Sequence, residues 1–197
     1  RAIIDGEEKT GITIMQMDAG IDTGDMLYKK ETKIGLEDDF ETLHDRLTLL
    51  GGEAVVEALT FLEQGKLKPE KQDESQSCYA PLISKEMGVI DFSRPAVSID
   101  RLIRGMTPWP SAYTGLRGKQ LKIWKAVPET QKDVSGHVPG EILSVEKDSV
   151  IVAAGEGAIR LLELQIEGKK RMPAHDFLLG VRLEPGEVLE APEAGRP

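Results

Sequence analysis

The segment TGITIMQMDAGIDTGDML runs from Thr10 to Leu27. From Thr10 to Met17 it is apolar on both faces at a spacing of two, with Ile12 and Ile14 on one side and Met15 and Met17 on the other, which predicts a β-strand. Asp18-Ala-Gly-Ile-Asp22-Thr-Gly-Asp25 follows as a loop. Gly20 and Gly24 allow positive φ and close backbone approach to a ligand. Three carboxylates in so short a loop have two readings. One acid is positioned for chemistry while backbone N–H and C=O groups recognise a flat heterocycle, or the Asp side chains bond their own backbone in a tight turn.

Outward from that loop, residues 2–8 predict the end of a helix, and Met26 to Ile34 a second strand. Residues 37–64 predict two helices. The first has Phe40, Leu43, Leu47 and Leu50 on its apolar face, with Asp38 or Asp39 as its cap. The second has Val55, Ala58, Leu59 and Leu62, and Gly51-Gly52 separates the two. Their acidic outer faces read as solvated. Residues 68–86 are polar without a period and read as a linker. A helix is expected at about 96–105, ended by Pro108-Trp109-Pro110. Strands are expected at Gln120–Val127, Gly140–Val145, Ser149–Ala154 and Ala158–Ile166, then a short helix from Pro173 to Leu179. Short strands at this spacing predict a small closed or half-closed barrel. Trp109 and Trp124 read as core residues, with base stacking as the alternative.

Composition narrows the function classes. The 197 residues are 40% hydrophobic and 30% charged, as in packed rather than disordered chains. No apolar run approaches the roughly 18 residues of a membrane helix. Cys78 is the one cysteine, which excludes an internal disulfide and fits a cytoplasmic setting. His44, His137 and His175 lie too far apart for a ligand set, so no metal is expected. The net charge is −9, with 10 Lys/Arg against 19 Asp/Glu in residues 1–86 and 15 of each in residues 87–197. An acidic total does not decide nucleic-acid binding, which depends on local patches. From Arg101 to Lys125 there are six basic residues and no acid, and Lys169-Lys170-Arg171 forms a second cluster.

Asp22-Thr23-Gly24 is also the tripeptide of aspartic proteases. A single copy would have to act as a homodimer. The longer pattern points elsewhere. Thr10 to Leu27 resembles the folate-loop segment of the methionyl-tRNA formyltransferase family. Further segments of that family recur in order: Tyr79-Ala80 with Ile83-Ser84-Lys85-Glu86; Ile90-Asp91-Phe92; Ile103 to Pro110; Lys122-Ile-Trp-Lys-Ala126; Pro139-Gly140; and Gly168-Lys-Lys-Arg-Met172.

The resemblance implies an α/β plus β architecture. Residues 1–67 would be the C-terminal part of a Rossmann-like formyltransferase domain, 68–86 a linker, 87–192 an OB-like β-barrel that binds tRNA, and 193–197 a tail. It implies transfer of a formyl group from 10-formyltetrahydrofolate to the amino group of methionyl-initiator tRNA, by an enzyme that is monomeric when complete. Asp22 corresponds to the family's catalytic Asp. Gln16, Asp18, Ala19, Gly20 and Ile21 correspond to the cofactor-binding stretch. Lys85, Arg101, Arg104, Arg117, Lys119, Lys122, Lys125, Lys169, Lys170 and Arg171 are the candidate tRNA contacts.

The family's catalytic trio also includes an Asn and a His from an Asn-x-His motif. That motif and the Ser-Leu-Leu-Pro motif are not in this sequence, which contains no Asn. The chain, which opens at Arg1 in mid-pattern, is therefore expected to be a piece of a longer enzyme and inactive alone. The alternatives are a non-catalytic RNA-binding module and a fragment of a sugar-nucleotide formyltransferase.

Overall fold

The computed structural model describes residues 1–190. The chain divides into two compact units. One comprises Arg1–Ala2 and Glu7–Leu82. The other comprises Ile3–Gly6 and Ile83–Pro197, of which residues up to Glu190 are described. The expected tail at 193–197 lies outside the described residues.

In the first unit, β1 (Lys9–Met15) and β2 (Met26–Lys33) pair antiparallel, from Lys9 opposite Lys33 to Met15 opposite Met26. The Gln16–Asp25 loop connects them. A single helix, α2 (Phe40–Glu63), packs on both strands. Its start is fixed by a capping box. Asp39 accepts from the Thr42 N–H at 2.9 Å, and the Thr42 hydroxyl accepts from the Asp39 N–H at 3.1 Å, so two amides that would otherwise lack partners are satisfied. Asp38, just before the cap, is buried under the Arg46 guanidinium, with contacts of 2.6 and 2.8 Å, and also accepts from the Gly35 N–H.

The expected break at Gly51-Gly52 does not occur. Gly51 lies over β1, where an added Cβ would meet Ile12 Cδ1 at 3.8 Å. Each Gly costs an exposed helix about 1 kcal/mol relative to Ala. Packing of Leu43, Ala54 and Ala58, all buried, outweighs that penalty. The acidic face of the helix is likewise not simply solvated. Glu57 accepts from the Tyr28 hydroxyl at 2.6 Å and from Lys30 Nζ at 2.7 Å, and Glu53 takes Lys30 at 3.1 Å. Lys30 first, then Tyr28, holds the Glu57 carboxyl below its usual range.

The second unit is built on one antiparallel sheet. β3 (Ala112–Leu116), β4 (Lys119–Glu129), β5 (Ile142–Val145), β6 (Val150–Ala153) and β7 (Ala158–Ile166) lie in the order β3-β4-β7-β6-β5, and β8 (Met172–Pro173) pairs with β7. α3 (Ala96–Met106) buries Ile99, Ile103 and Met106 against the sheet, and α4 (Ala174–Gly180) contributes Phe177. α1 (Ala2–Asp5) brings Ile4 to Gly105 of α3, where a Cβ would come within 2.5 Å of it.

The regular ladder is not a closed barrel, because β3 and β5 are both edges. Residues 186–190 instead make isolated bridges to each edge, at Gly115 and at Glu141. β3 itself escapes the sequence reading because its turn to β4 is Arg117-Gly118, with φ of 50° and 74°. Positive φ at both central residues is the type I′ pattern that Asn-Gly announces and Arg does not. Trp109, expected in the core, is 60% exposed between its two prolines. The segment 66–82 belongs to the first unit rather than hanging free. Glu70 and Met26 exchange backbone hydrogen bonds of 2.7 and 2.9 Å.

Candidate functional site

The loop between β1 and β2 is closed at its neck. The Gln16 N–H donates to the Asp25 carbonyl at 2.9 Å. Gly24 is buried there, and a Cβ on it would lie 1.6 Å from the Gln16 carbonyl oxygen, so only glycine fits. At the tip, Asp18 Oδ1 accepts from the Gly20 N–H at 2.9 Å and from the Thr23 hydroxyl at 2.6 Å. These bonds, that of Thr23 first, hold the exposed Asp18 carboxyl below the usual carboxylate range. Asp18 thus bonds within its own turn.

Asp22 differs. Its φ is +56°, in the left-handed region that non-glycine residues seldom occupy. Among the described residues its carboxylate makes no hydrogen bond or ion pair, and it is exposed. Its carbonyl and that of Gly24 both accept from Gln72 Nε2, at 2.7 and 2.8 Å. Ile21 beside it is 92% exposed. The loop thus holds one acid on a fixed backbone and presents an apolar side chain next to it. Sequence reasoning missed Gln72 and Thr23, the two residues that fix this geometry. Gln72 sits in an aperiodic polar stretch, and nothing in its neighbours marks it.

The basic candidates separate into classes. On the outer face of the second unit's sheet, Trp124 lies between two cations. Lys122 Nζ is 5.8 Å from its ring centroid and the Arg171 guanidinium 4.7 Å, both within cation–π range. The indole N–H donates to Gln165 Oε1 at 3.1 Å, and Gln165 Nε2 donates to the Lys169 carbonyl at 2.8 Å. Thus β4 and the β7–β8 turn share one surface, although some 45 residues separate them. Arg171 also pairs with Glu163 at 2.6 Å. Lys169 and Lys170 are exposed in the turn, and Lys125 stands opposite Glu163 in the ladder.

Other candidates are committed within the unit. Arg104 is bound to the buried Asp100 at 2.8 Å. Arg117 is bidentate on Glu187, at 2.5 and 2.8 Å, and also donates to the Arg182 carbonyl. Arg101 lies against Gly6. Lys85 precedes a short 3₁₀ turn, and Lys119 opens β4; both are exposed. Among the described residues no three His, Cys, Asp or Glu side chains gather as a metal set. No helix there is long and apolar enough to cross a membrane.

Comparison with known proteins agrees with this division into two units. The formyl transferase family matches residues 1–59, and the formyl transferase C-terminal domain matches residues 82–182. The chain belongs to the formyl transferase family. Methionyl-tRNA formyltransferase of Geobacter metallireducens is 52% identical to this formyl transferase chain over 184 residues, 93% of the chain and 58% of the relative. That of Citrifermentans bemidjiense is 50% identical over 192 residues, 98% and 59%. The chain spans less than two thirds of the length of either relative.

Among solved structures, HypX from Aquifex aeolicus in complex with tetrahydrofolic acid aligns at a TM-score of 0.63 and 22% identity, over 95% of this chain and 35% of its own. An N-formyltransferase from Helicobacter canadensis in complex with folinic acid and dTDP-3-aminofucose aligns at 0.64 and 18% identity, over 81% and 58%. These two share the fold. The protease reading of Asp22-Thr23-Gly24 is excluded by membership of the formyl transferase family.

Proposed function

We propose that this chain is part of a methionyl-tRNA formyltransferase, which transfers a formyl group from 10-formyltetrahydrofolate to the α-amino group of methionine on initiator tRNA. The observation that carries the reading is the Gln16–Asp25 loop. It lies within the matched formyl transferase region and presents Asp22 as an unpaired carboxylate on a clamped backbone. About 50% identity to relatives of that name along nearly the whole chain supports the same substrates.

In this reading the amine attacks the formyl carbon, a tetrahedral oxyanion develops, and its collapse breaks the bond to N10 and releases tetrahydrofolate, whose nitrogen gains the equivalent of the proton that the amine loses. Asp22 keeps a neighbouring imidazole protonated and oriented, so that imidazolium and amide stabilise the oxyanion. Gln16 and the backbone of Asp18, Ala19, Gly20 and Ile21 line the site for the pterin of the co-substrate. The exposed Ile21 side chain suits the face of a flat heterocycle, and exposed loop backbone can supply donors and acceptors to its edge.

We assign the first unit to the C-terminal part of a Rossmann-like domain. The second is an OB-like barrel, a reading supported by the 186–190 segment that bonds to both sheet edges. Its Lys122–Trp124–Arg171 face, with Lys169 and Lys170, meets tRNA phosphates, which dominate affinity without reading sequence. The complete enzyme acts as a monomer in the cytoplasm, a setting that suits the exposed free thiol of Cys78. The test is Asp22→Ala in the enzyme that joins this chain to the upstream segment of its relatives. Because the carboxylate acts mostly in the transition state, kcat falls about 10²-fold or more while the KM of both substrates changes little. Near-normal kcat would reduce Asp22 to a turn residue.

A further inference from the structure

We infer that Gln72 is a positioning residue for Asp22, and that the polar stretch at the end of the first unit is a working part of the catalytic loop rather than a tether. This rests on the assignment of Asp22 above. A carboxamide nitrogen carries two hydrogens, and both are spent on this loop, one on the Asp22 carbonyl at 2.7 Å and one on the Gly24 carbonyl at 2.8 Å. The two acceptors are only two residues apart, so together they fix the Asp22–Thr23 and Gly24–Asp25 peptide planes.

Gln72 is itself anchored. Two residues before it, Glu70 and Met26 exchange both of their backbone bonds at the foot of β2. Asp22 needs such support, because its φ of +56° is a conformation that persists in a non-glycine residue only where surroundings over-determine it. The neck of the loop is fixed by the Gln16–Asp25 bond and the tip by the Asp18–Thr23 bond. Gln72 is the partner outside the loop that holds the backbone of Asp22 itself. Without it the residue relaxes toward negative φ and its carboxylate swings away. A misplacement of about 1 Å at a reacting centre costs on the order of 10²-fold in rate.

The consequences are specific. Gln72→Ala lowers kcat about 10-fold and leaves the KM for either substrate within about twofold, because the loop still forms but Asp22 is misplaced in the transition state. Gln72→Glu is of nearly the same shape, yet its ionised carboxylate has no hydrogen to donate and sets two oxygens against two carbonyls. It therefore loses more kcat than the Ala variant.

The decisive experiment is a double-mutant cycle in the complete enzyme, with steady-state formyl transfer as readout and circular dichroism melting to confirm folding. If Gln72 acts through Asp22, adding Gln72→Ala to Asp22→Ala lowers kcat no further. The inference is overturned if Gln72→Ala lowers kcat by the same factor in both backgrounds, if it leaves kcat unchanged, or if Gln72→Glu outperforms it. If Asp22→Ala alone retains near-normal kcat, the functional reading itself fails and takes this inference with it.

Discussion

Replacing Gly24 by alanine tests the neck of the loop. The added Cβ would sit 1.6 Å from the Gln16 carbonyl oxygen and 2.8 Å from its carbon. Both atoms are backbone, so no side chain can rotate out of the way, and the strands must part by more than an ångström. Overpacking of this kind costs about 1–3 kcal/mol. Parting the neck also stretches the bond from the Gln16 N–H to the Asp25 carbonyl, worth about 0.5–1.5 kcal/mol. The closed neck is therefore destabilised by about 1.5–4.5 kcal/mol, or roughly tenfold to two-thousandfold in its population. Gly20→Ala is the internal control. Its Cβ meets the Thr23 hydroxyl at 2.1 Å, but that side chain can turn, at the expense only of its bond to Asp18, or about 1 kcal/mol. Amide hydrogen exchange at Gln16 reads both variants. The amide should exchange tens- to hundreds-fold faster in Gly24→Ala and change only modestly in Gly20→Ala. Equal exchange in Gly24→Ala and wild type, with an unchanged urea midpoint, would refute the steric argument.

Three further outcomes are expected. The Arg46 guanidinium first, then the Gly35 N–H, holds the Asp38 carboxyl below its usual value, so its stabilisation is full above the unfolded carboxylate pKa near 4 and fades as pH falls through the lower folded value. Asp38→Asn should thus lose stability at pH 7 and flatten the decline of α2 helicity below about pH 4, as measured by far-ultraviolet circular dichroism at several pH values; an unaltered pH profile would count against it. Gly52→Ala meets no atom within 4 Å and should stabilise the first unit by up to about 1 kcal/mol in a urea titration, whereas a loss would point to a contact the helix does not show. Replacing Lys169, Lys170 and Arg171 by Ser should weaken tRNA binding about equally for initiator and elongator species. It should also lower the log–log salt slope by nearer two contacts than three, since Arg171 is partly neutralised by Glu163; a slope identical to wild type would place the tRNA surface elsewhere.

Where the sequence could be read, local physics and packing agreed. The alternation from Thr10 to Met17 and the glycine loop from Asp18 to Asp25 predict β1 and the turn after it, although the strand ends at Met15 and the turn begins at Gln16. The helix expected at about 96–105, ahead of Pro108-Trp109-Pro110, is α3. The reading failed where tertiary contacts overrode local preference. Gly51-Gly52 breaks a helix on propensity, yet α2 runs through it because Gly51 packs over Ile12. Arg117 disguises a hairpin turn because its left-handed φ is held by contacts with Glu187 and Arg182 that lie at least 65 residues away. Gln72 was beyond sequence analysis altogether. Its role depends on which two carbonyls face it, and polar linker composition is the same with or without such partners. The basic clusters were visible as charge, but their division into Lys122 and Arg171 about Trp124, and Arg104 and Arg117 against carboxylates, required the register of β4 on β7.

The placement of the aromatic residues governs how any of these experiments can be followed. The two tryptophans of the chain, Trp109 and Trp124, both belong to the second unit, and the first unit carries only tyrosine and phenylalanine. Emission excited near 295 nm is therefore blind to the Asp22 loop and to α2. A cooperative fluorescence transition certifies half of the molecule, and an independent melting of the loop-bearing half would pass beneath it unseen. Trp124, with its indole between two cations, is in turn a built-in reporter for ligands that draw Lys122 or Arg171 away, so a spectral shift on adding polyanion that persists in Trp109→Phe would localise binding without any label.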